Sequence, residues 1–154
     1  MKYSTICHLE KDGKMLFLHR NKKENDMHEG KWVGIGGKFE KGESPEECVI
    51  REFLEETGLS ISNPKMHGVI IFPDFFQGED WMTFVFSCND YTGEMIDSPE
   101  GTLKWVDISE VSKLEMWEGD YLFLEWMREN EFFSAKMVYE DQKMIFHEVN
   151  KYKF

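Results

Sequence analysis

"GGKFEKGESPEECVIREFLEETGL", residues 36–59, carries seven glutamates in 24 positions. Its second half reads as a helix. Ser44 is a good N-cap, Pro45 suits the first helical position, and Glu47 completes a capping box. Gly58 is a natural C-terminal stop. On a helix turning about 100° per residue, Glu52, Glu55 and Glu56 share one arc. Val49, Phe53, Leu54 and Thr57 are then expected to face the core from the other side. Two readings of the acidic arc stand open at this point. One is a solvated face, where like-charge pairs cost only about a few tenths of a kcal/mol. The other is a site for a hard cation such as Mg²⁺, which takes oxygen ligands and shares a few carboxylates with substrate phosphates. Gly36-Gly37-Lys38 upstream favours the second, because a glycine pair lets backbone approach a ligand closely.

Outward from this stretch, 154 residues suit one domain covering residues 1–154, long enough to bury roughly 70% of its unfolded surface. A net charge of −12 argues against polymeric nucleic acid or anionic membrane as partner, since both need a basic surface. It leaves room for a small phosphorylated ligand bridged by a divalent cation. Cys7, Cys48 and Cys88 are odd in number and form no CxxC pair, so neither a disulfide framework nor a thiolate zinc site is expected. The N-terminal stretch lacks a signal-peptide core, and no apolar run approaches membrane-spanning length. The expected location is cytoplasmic.

Strand-like runs fall near 3–9, 14–20, 66–73, 81–88, 103–107, 136–140 and 143–149. EKDGK at 10–14 should turn the first two into a hairpin, and the last two should form another. The continuous apolar runs Met15–Leu18 and Val69–Phe72 fit strands covered on both faces. A second helix is expected from about Gly119 to Asn130, with Leu122, Phe123, Trp126 and Met127 on one stripe. Strands between helices imply an α/β or α+β layered fold. The five histidines show no paired metal spacing and read as structural or exposed.

The acidic stretch resembles the Nudix box, G-x5-E-x7-R-E-U-x-E-E-x-G-U, with U a bulky aliphatic residue. Gly37, Glu43, Arg51, Glu52, Glu55, Glu56 and Gly58 fill all seven invariant positions, and Leu59 the last aliphatic one. At roughly 7% per residue type, seven chance matches have a probability of about 10⁻⁸ per starting position. Phe53 in the first aliphatic slot is the one departure. The resemblance implies an α/β/α sandwich around a mixed β-sheet, and hydrolysis of nucleoside diphosphate derivatives with Mg²⁺ or Mn²⁺. It makes the Gly36 carbonyl, Glu52, Glu55 and Glu56 candidate metal ligands, with Glu52 also the candidate base. Arg51 is assigned to orienting a glutamate and Lys38 to meeting a phosphate. Glu100, in "DSPEGTLKW", occupies the place of an additional ligand in several members.

Beyond the box, "EGKWVGIGGKFEKGE" and "LEMWEGDYLFLEWM" resemble the MutT-type branch that acts on oxidised purine triphosphates such as 8-oxo-dGTP. In that branch a tryptophan stacks on the purine and an aspartate hydrogen-bonds it. Trp117 and Asp120 take those positions here, and Lys23 that of a pocket lysine; Met27 shares its loop. This chain has Val33 where relatives carry asparagine, and Gly119 where they carry a second aspartate. Within the family, the alternatives are hydrolysis of an ADP-sugar, a dinucleoside polyphosphate or a capped RNA end. Outside enzymes, the alternative is a non-catalytic nucleotide sensor, although such domains usually lose box glutamates and this chain keeps them.

Overall fold

The computed structural model describes residues 1–154. The chain runs β1 (Lys2–Lys11), β2 (Lys14–His19), β3 (Trp32–Val33), β4 (Ile35–Lys38), α1 (Pro45–Thr57), β5 (Leu59–Ile61), β6 (Lys65–Phe76) and β7 (Glu79–Cys88). It continues through β8 (Tyr91–Gly93), β9 (Thr102–Asp107), a 3-10 helix (Ile108–Lys113), α2 (Glu118–Trp126), β10 (Phe132–Glu140) and β11 (Lys143–Tyr152). No helix is long and apolar enough to cross a membrane.

The main sheet is ordered β11-β10-β6-β7-β1-β2-β3, with β4 also on β1 and β9 also on β2. It is mixed: β1 runs parallel to β7 and β10 parallel to β6, while the other pairings are antiparallel. Strand alternation sends neighbouring side chains to opposite layers. On β7, Phe86 joins Cys7, Leu9, Val49 and Phe53 under α1, whereas Val85 joins Ile70, Phe123, Trp126 and Met137 under α2. The two helices thus lie on opposite faces, the expected α/β/α sandwich. Both expected hairpins are present, turning through left-handed Asp12-Gly13 and Asp141-Gln142. The first opens at once: β1 meets β2 only at Glu10↔Met15 and Lys11↔Lys14, then leaves for β4 and β7.

Local signals at α1 act as the sequence implies. The Ser44 side chain accepts from the Glu47 backbone N–H at 3.1 Å, and Glu47 reaches back to the Ser44 N–H at 3.0 Å. Gly58 ends the helix at φ +79°, where an added Cβ would lie 2.7 Å from the Glu94 carbonyl oxygen.

Four expectations need correction. Leu54 is 50% exposed, while Glu56 is only 8% exposed. Cys48, Glu52, Glu56, Val49, Phe53 and Thr57 follow one another around the helix at about 20–40° intervals, so two glutamates lie within the stripe that faces the core. Leu54 falls beyond its far edge. Of Val69–Phe72 only Ile70 is fully buried, because α1 packs on β1, β4 and β5 and leaves Val69 and Ile71 half-buried, while Phe72 lines a cavity on the other face. The second helix stops at Trp126 rather than near Asn130. Four short strands, β3, β4, β5 and β8, and the 3-10 helix carried no recognisable pattern.

Ser44→Ala should lower stability by about 1 kcal/mol through loss of the reciprocal cap. Urea unfolding should show a lower midpoint with an unchanged slope; an unchanged midpoint would mean that packing alone sets the helix start.

Candidate functional site

The acidic arc is organised by one guanidinium. Arg51 donates to both oxygens of Glu43, from Nε at 2.7 Å and from Nη2 at 2.9 Å. Its Nη1 donates to Glu52 Oε1 at 2.9 Å and to Glu55 Oε2 at 3.3 Å, and Nη2 also reaches the Lys38 carbonyl at 3.0 Å. Such forked, charge-assisted bonds are the strong kind. They pull the Glu43 carboxyl below its ordinary range. They also tie α1 to the loop after β4.

Glu52 lies flat against β4. An added Cβ at Gly37 would fall 2.4 Å from its carboxyl carbon, so only glycine leaves room. Next to it, Glu56 Oε2 accepts from the Gly36 N–H at 3.3 Å and has no cation within hydrogen-bonding distance. Burial first, then the charges of Glu52 and Glu100, push its carboxyl up to about 8. Glu52 is raised as well, mainly by burial, against the pull of Arg51. Glu55 is different: its side chain is 56% exposed and its only partner is Arg51. No trio of carboxylate, imidazole or thiol groups is drawn together into a ready-made cage. The donor set nevertheless fits a hard divalent cation. It is all oxygen, it includes a buried carboxyl crowded by like charge, and a glycine gives it access to backbone. Glu52, Glu56 and the Gly36 carbonyl are the groups that would hold such an ion.

These groups form one end of a cavity of about 710 Å³, within the usual range for a small-molecule site. Its wall brings together Gly36, Glu52, Glu56, Glu100, Lys23, Lys38, Trp117 and Asp120, but neither Glu55 nor Arg51. Glu100 is held by Lys23 at 2.9 Å and by Arg20 at 3.3 Å. Lys38 Nζ sits 5.4 Å from the centre of the Trp81 ring, a cation–π distance.

The far end is aromatic. Trp117 is only 7% exposed, and its Nε1 donates to His28 Nδ1 at 2.8 Å. Burial, with Arg20 nearby, lowers His28 to about 4, which keeps Nδ1 free to accept. Tyr139 meets Trp117 edge-on at 5.3 Å, with Phe75 5.8 Å from Tyr139. No side chain caps α2, so Asp120 is not consumed at the helix start. Burial raises its carboxyl to about 7, against the pull of Lys31. Met27 also lines this cavity.

Arg20, Phe75 and Tyr139 are not singled out by the sequence, and His28 reads there only as structural or exposed. The contacts that bring them to the cavity, Arg20 with Glu100, His28 and Phe75 with Trp117, and Phe75 with Tyr139, join residues far apart along the chain.

The NUDIX domain family model matches residues 3–127. The chain belongs to the Nudix family. Members are hydrolases of phosphoanhydride bonds in nucleotide derivatives and generally use divalent cations. An uncharacterized Nudix hydrolase of Bacillus subtilis, YvcI, is 41% identical over 128 residues, covering 80% of this chain and 77% of its own. The oxidized purine nucleoside triphosphate hydrolase of Danio rerio is 31% identical over 123 residues, covering 80% and 79%. The crystal structure of a MutT protein from Bacillus halodurans superposes with a TM-score of 0.85 at 31% identity, covering 97% of this chain and 98% of that one. The Nudix box glutamates therefore sit on a Nudix fold from end to end.

The raised Glu56 carboxyl has a measurable consequence. Between pH 4.5 and about 8 the native state holds a proton that the unfolded chain has lost, so stability falls as pH rises through that window. Glu56→Gln removes this dependence while Asp120 contributes equally to both proteins. In EDTA the variant should melt above wild type at pH 9, and the two should converge near pH 5. Added Mg²⁺ should close the gap at pH 9 by raising wild type alone. A wild type already the more stable at pH 9 without metal would show that Glu56 is compensated by protein groups.

Proposed function

We propose that the chain hydrolyses purine nucleoside triphosphates, oxidised ones such as 8-oxo-dGTP included, to the monophosphate and pyrophosphate, with Mg²⁺ or Mn²⁺ as cofactor. The observation that carries this reading is the single cavity with buried carboxylates and Lys38 at one end and Trp117, Tyr139 and Asp120 at the other. The likeness to the oxidized purine nucleoside triphosphate hydrolase of Danio rerio supports it.

Glu52, Glu56 and the Gly36 carbonyl would hold the cation, which would supply polyphosphate neutralisation and electrophilic assistance. Lys38 and Lys23 add positive charge on the cavity wall. Arg51 fixes Glu52 through Oε1 and so orients the carboxylate proposed to take the proton of the attacking water. Burial raises that carboxyl above its ordinary range against the pull of Arg51, which makes it a stronger base than a free glutamate. In-line attack breaks the bridging P–O bond between the α and β phosphorus atoms, and pyrophosphate leaves. At the other end, Trp117 closes on the base and Asp120 hydrogen-bonds its edge.

Glu52→Gln should keep the fold and cut kcat by about 10²-fold or more, the scale of lost general-base assistance. Wild-type turnover should vanish in excess EDTA and return with Mg²⁺. Near-normal rates for the variant at saturating metal would remove Glu52 from the chemistry.

Asp120→Ala should raise KM for purine triphosphates far more than for pyrimidine ones and leave the metal requirement intact. Equal losses across all bases would assign Asp120 a structural role only.

A further inference from the structure

Gly119 and Tyr139 are locked together. The Tyr139 hydroxyl oxygen accepts from the Gly119 N–H at 2.7 Å, tying β10 to the first turn of α2. A Cβ at position 119 would lie 2.8 Å from that oxygen and 2.4 Å from Met137 Sδ. The hydroxyl therefore occupies the space that a side chain at 119 would need. Because the backbone N–H can only donate, the phenol oxygen is committed as acceptor there. Its own proton has no acceptor in the protein, and its ring lines the cavity beside Trp117 and Asp120. Burial and the neighbouring Asp120 charge hold the phenol protonated well above its ordinary range.

We propose that Tyr139 is a specificity-determining residue whose hydroxyl donates to a carbonyl oxygen of the bound base, while Asp120 accepts from the adjacent ring N–H. This rests on the nucleotide reading above and names the class of base within it. A donor beside an acceptor complements a lactam edge, an N–H next to a C=O. Guanine carries one at N1–H and O6, and 8-oxoguanine carries a second at N7–H and O8. Adenine's N1 and amino group present the inverse pattern, which leaves both protein groups facing like partners. A buried polar group without its partner is penalised, so the pair selects guanine-type over adenine-type triphosphates.

The test compares kcat/KM for dGTP, 8-oxo-dGTP and dATP in wild type and Tyr139→Phe. The guanine-to-adenine ratio should fall by about 3- to 10-fold in the variant, the scale of one neutral hydrogen bond. A purely structural Tyr139 would lower the melting temperature and slow all three substrates alike, and an unchanged ratio overturns the assignment. If the variant does not fold, wild type is assayed with 6-thio-dGTP, which keeps N1–H and replaces O6 by a weakly accepting sulfur. A comparable loss relative to dGTP is expected, and equal turnover overturns the proposal. Wild type that cleaves no triphosphate at all would overturn the nucleotide reading itself, whereas cleavage without base coupling to residue 139 overturns only the role of Tyr139.

Discussion

Everything at the acidic end depends on how closely β4 passes between β1 and α1. At Gly36 an added Cβ would lie 1.9 Å from the Thr5 carbonyl oxygen, and at Gly37 one would lie 2.4 Å from the Glu52 carboxyl. Two missing side chains thus let a strand lie against its neighbour on one edge and against two carboxylates on its face. Widening that gap would move Glu56 off the Gly36 N–H and Arg51 off the Lys38 carbonyl together. Close backbone approach is the physical use of glycine here, and turn formation is not.

The same approach makes the site electrostatically expensive. Arg51 offsets Glu43, Glu52 and Glu55, but Glu56 is buried against the core with only a backbone donor. Its elevated carboxyl records charge that the protein leaves uncompensated. Perturbed groups of this kind concentrate at functional sites. Stability is conceded at one position so that a carboxyl stays available to a cation, whose binding releases its proton.

How much of this was legible follows the separation of the partners along the chain. The capping box and the αL stop at Gly58 join residues within one helix, and a single 24-residue window revealed them; the same window pointed Arg51 at a glutamate through the family resemblance, without its bonds to Glu43 and the Lys38 carbonyl. The facing of Glu56 was misjudged because an acidic arc was assumed to oppose the core, when it continues the buried stripe from Cys48 to Thr57. Other contacts lay beyond any window. Trp117 meets His28 across 89 positions and Glu100 meets Lys23 across 77. These depend on the loop after β2 folding over the cavity, which sequence periodicity does not encode.

That division has a functional logic. Phosphoanhydride chemistry needs carboxylates held to fractions of an ångström, and a capped helix braced by one arginine supplies such rigidity from local interactions. The base recognition proposed for the other end would draw on β6, β10, α2 and the loop carrying His28, joined only through tertiary contact. Tyr139 shows the consequence: its hydroxyl excludes any side chain at 119 and places a different donor nearby, without touching the acidic end. Under the proposed reading, substitutions in the aromatic wall would change which base is accepted while Arg51 and its glutamates keep their geometry.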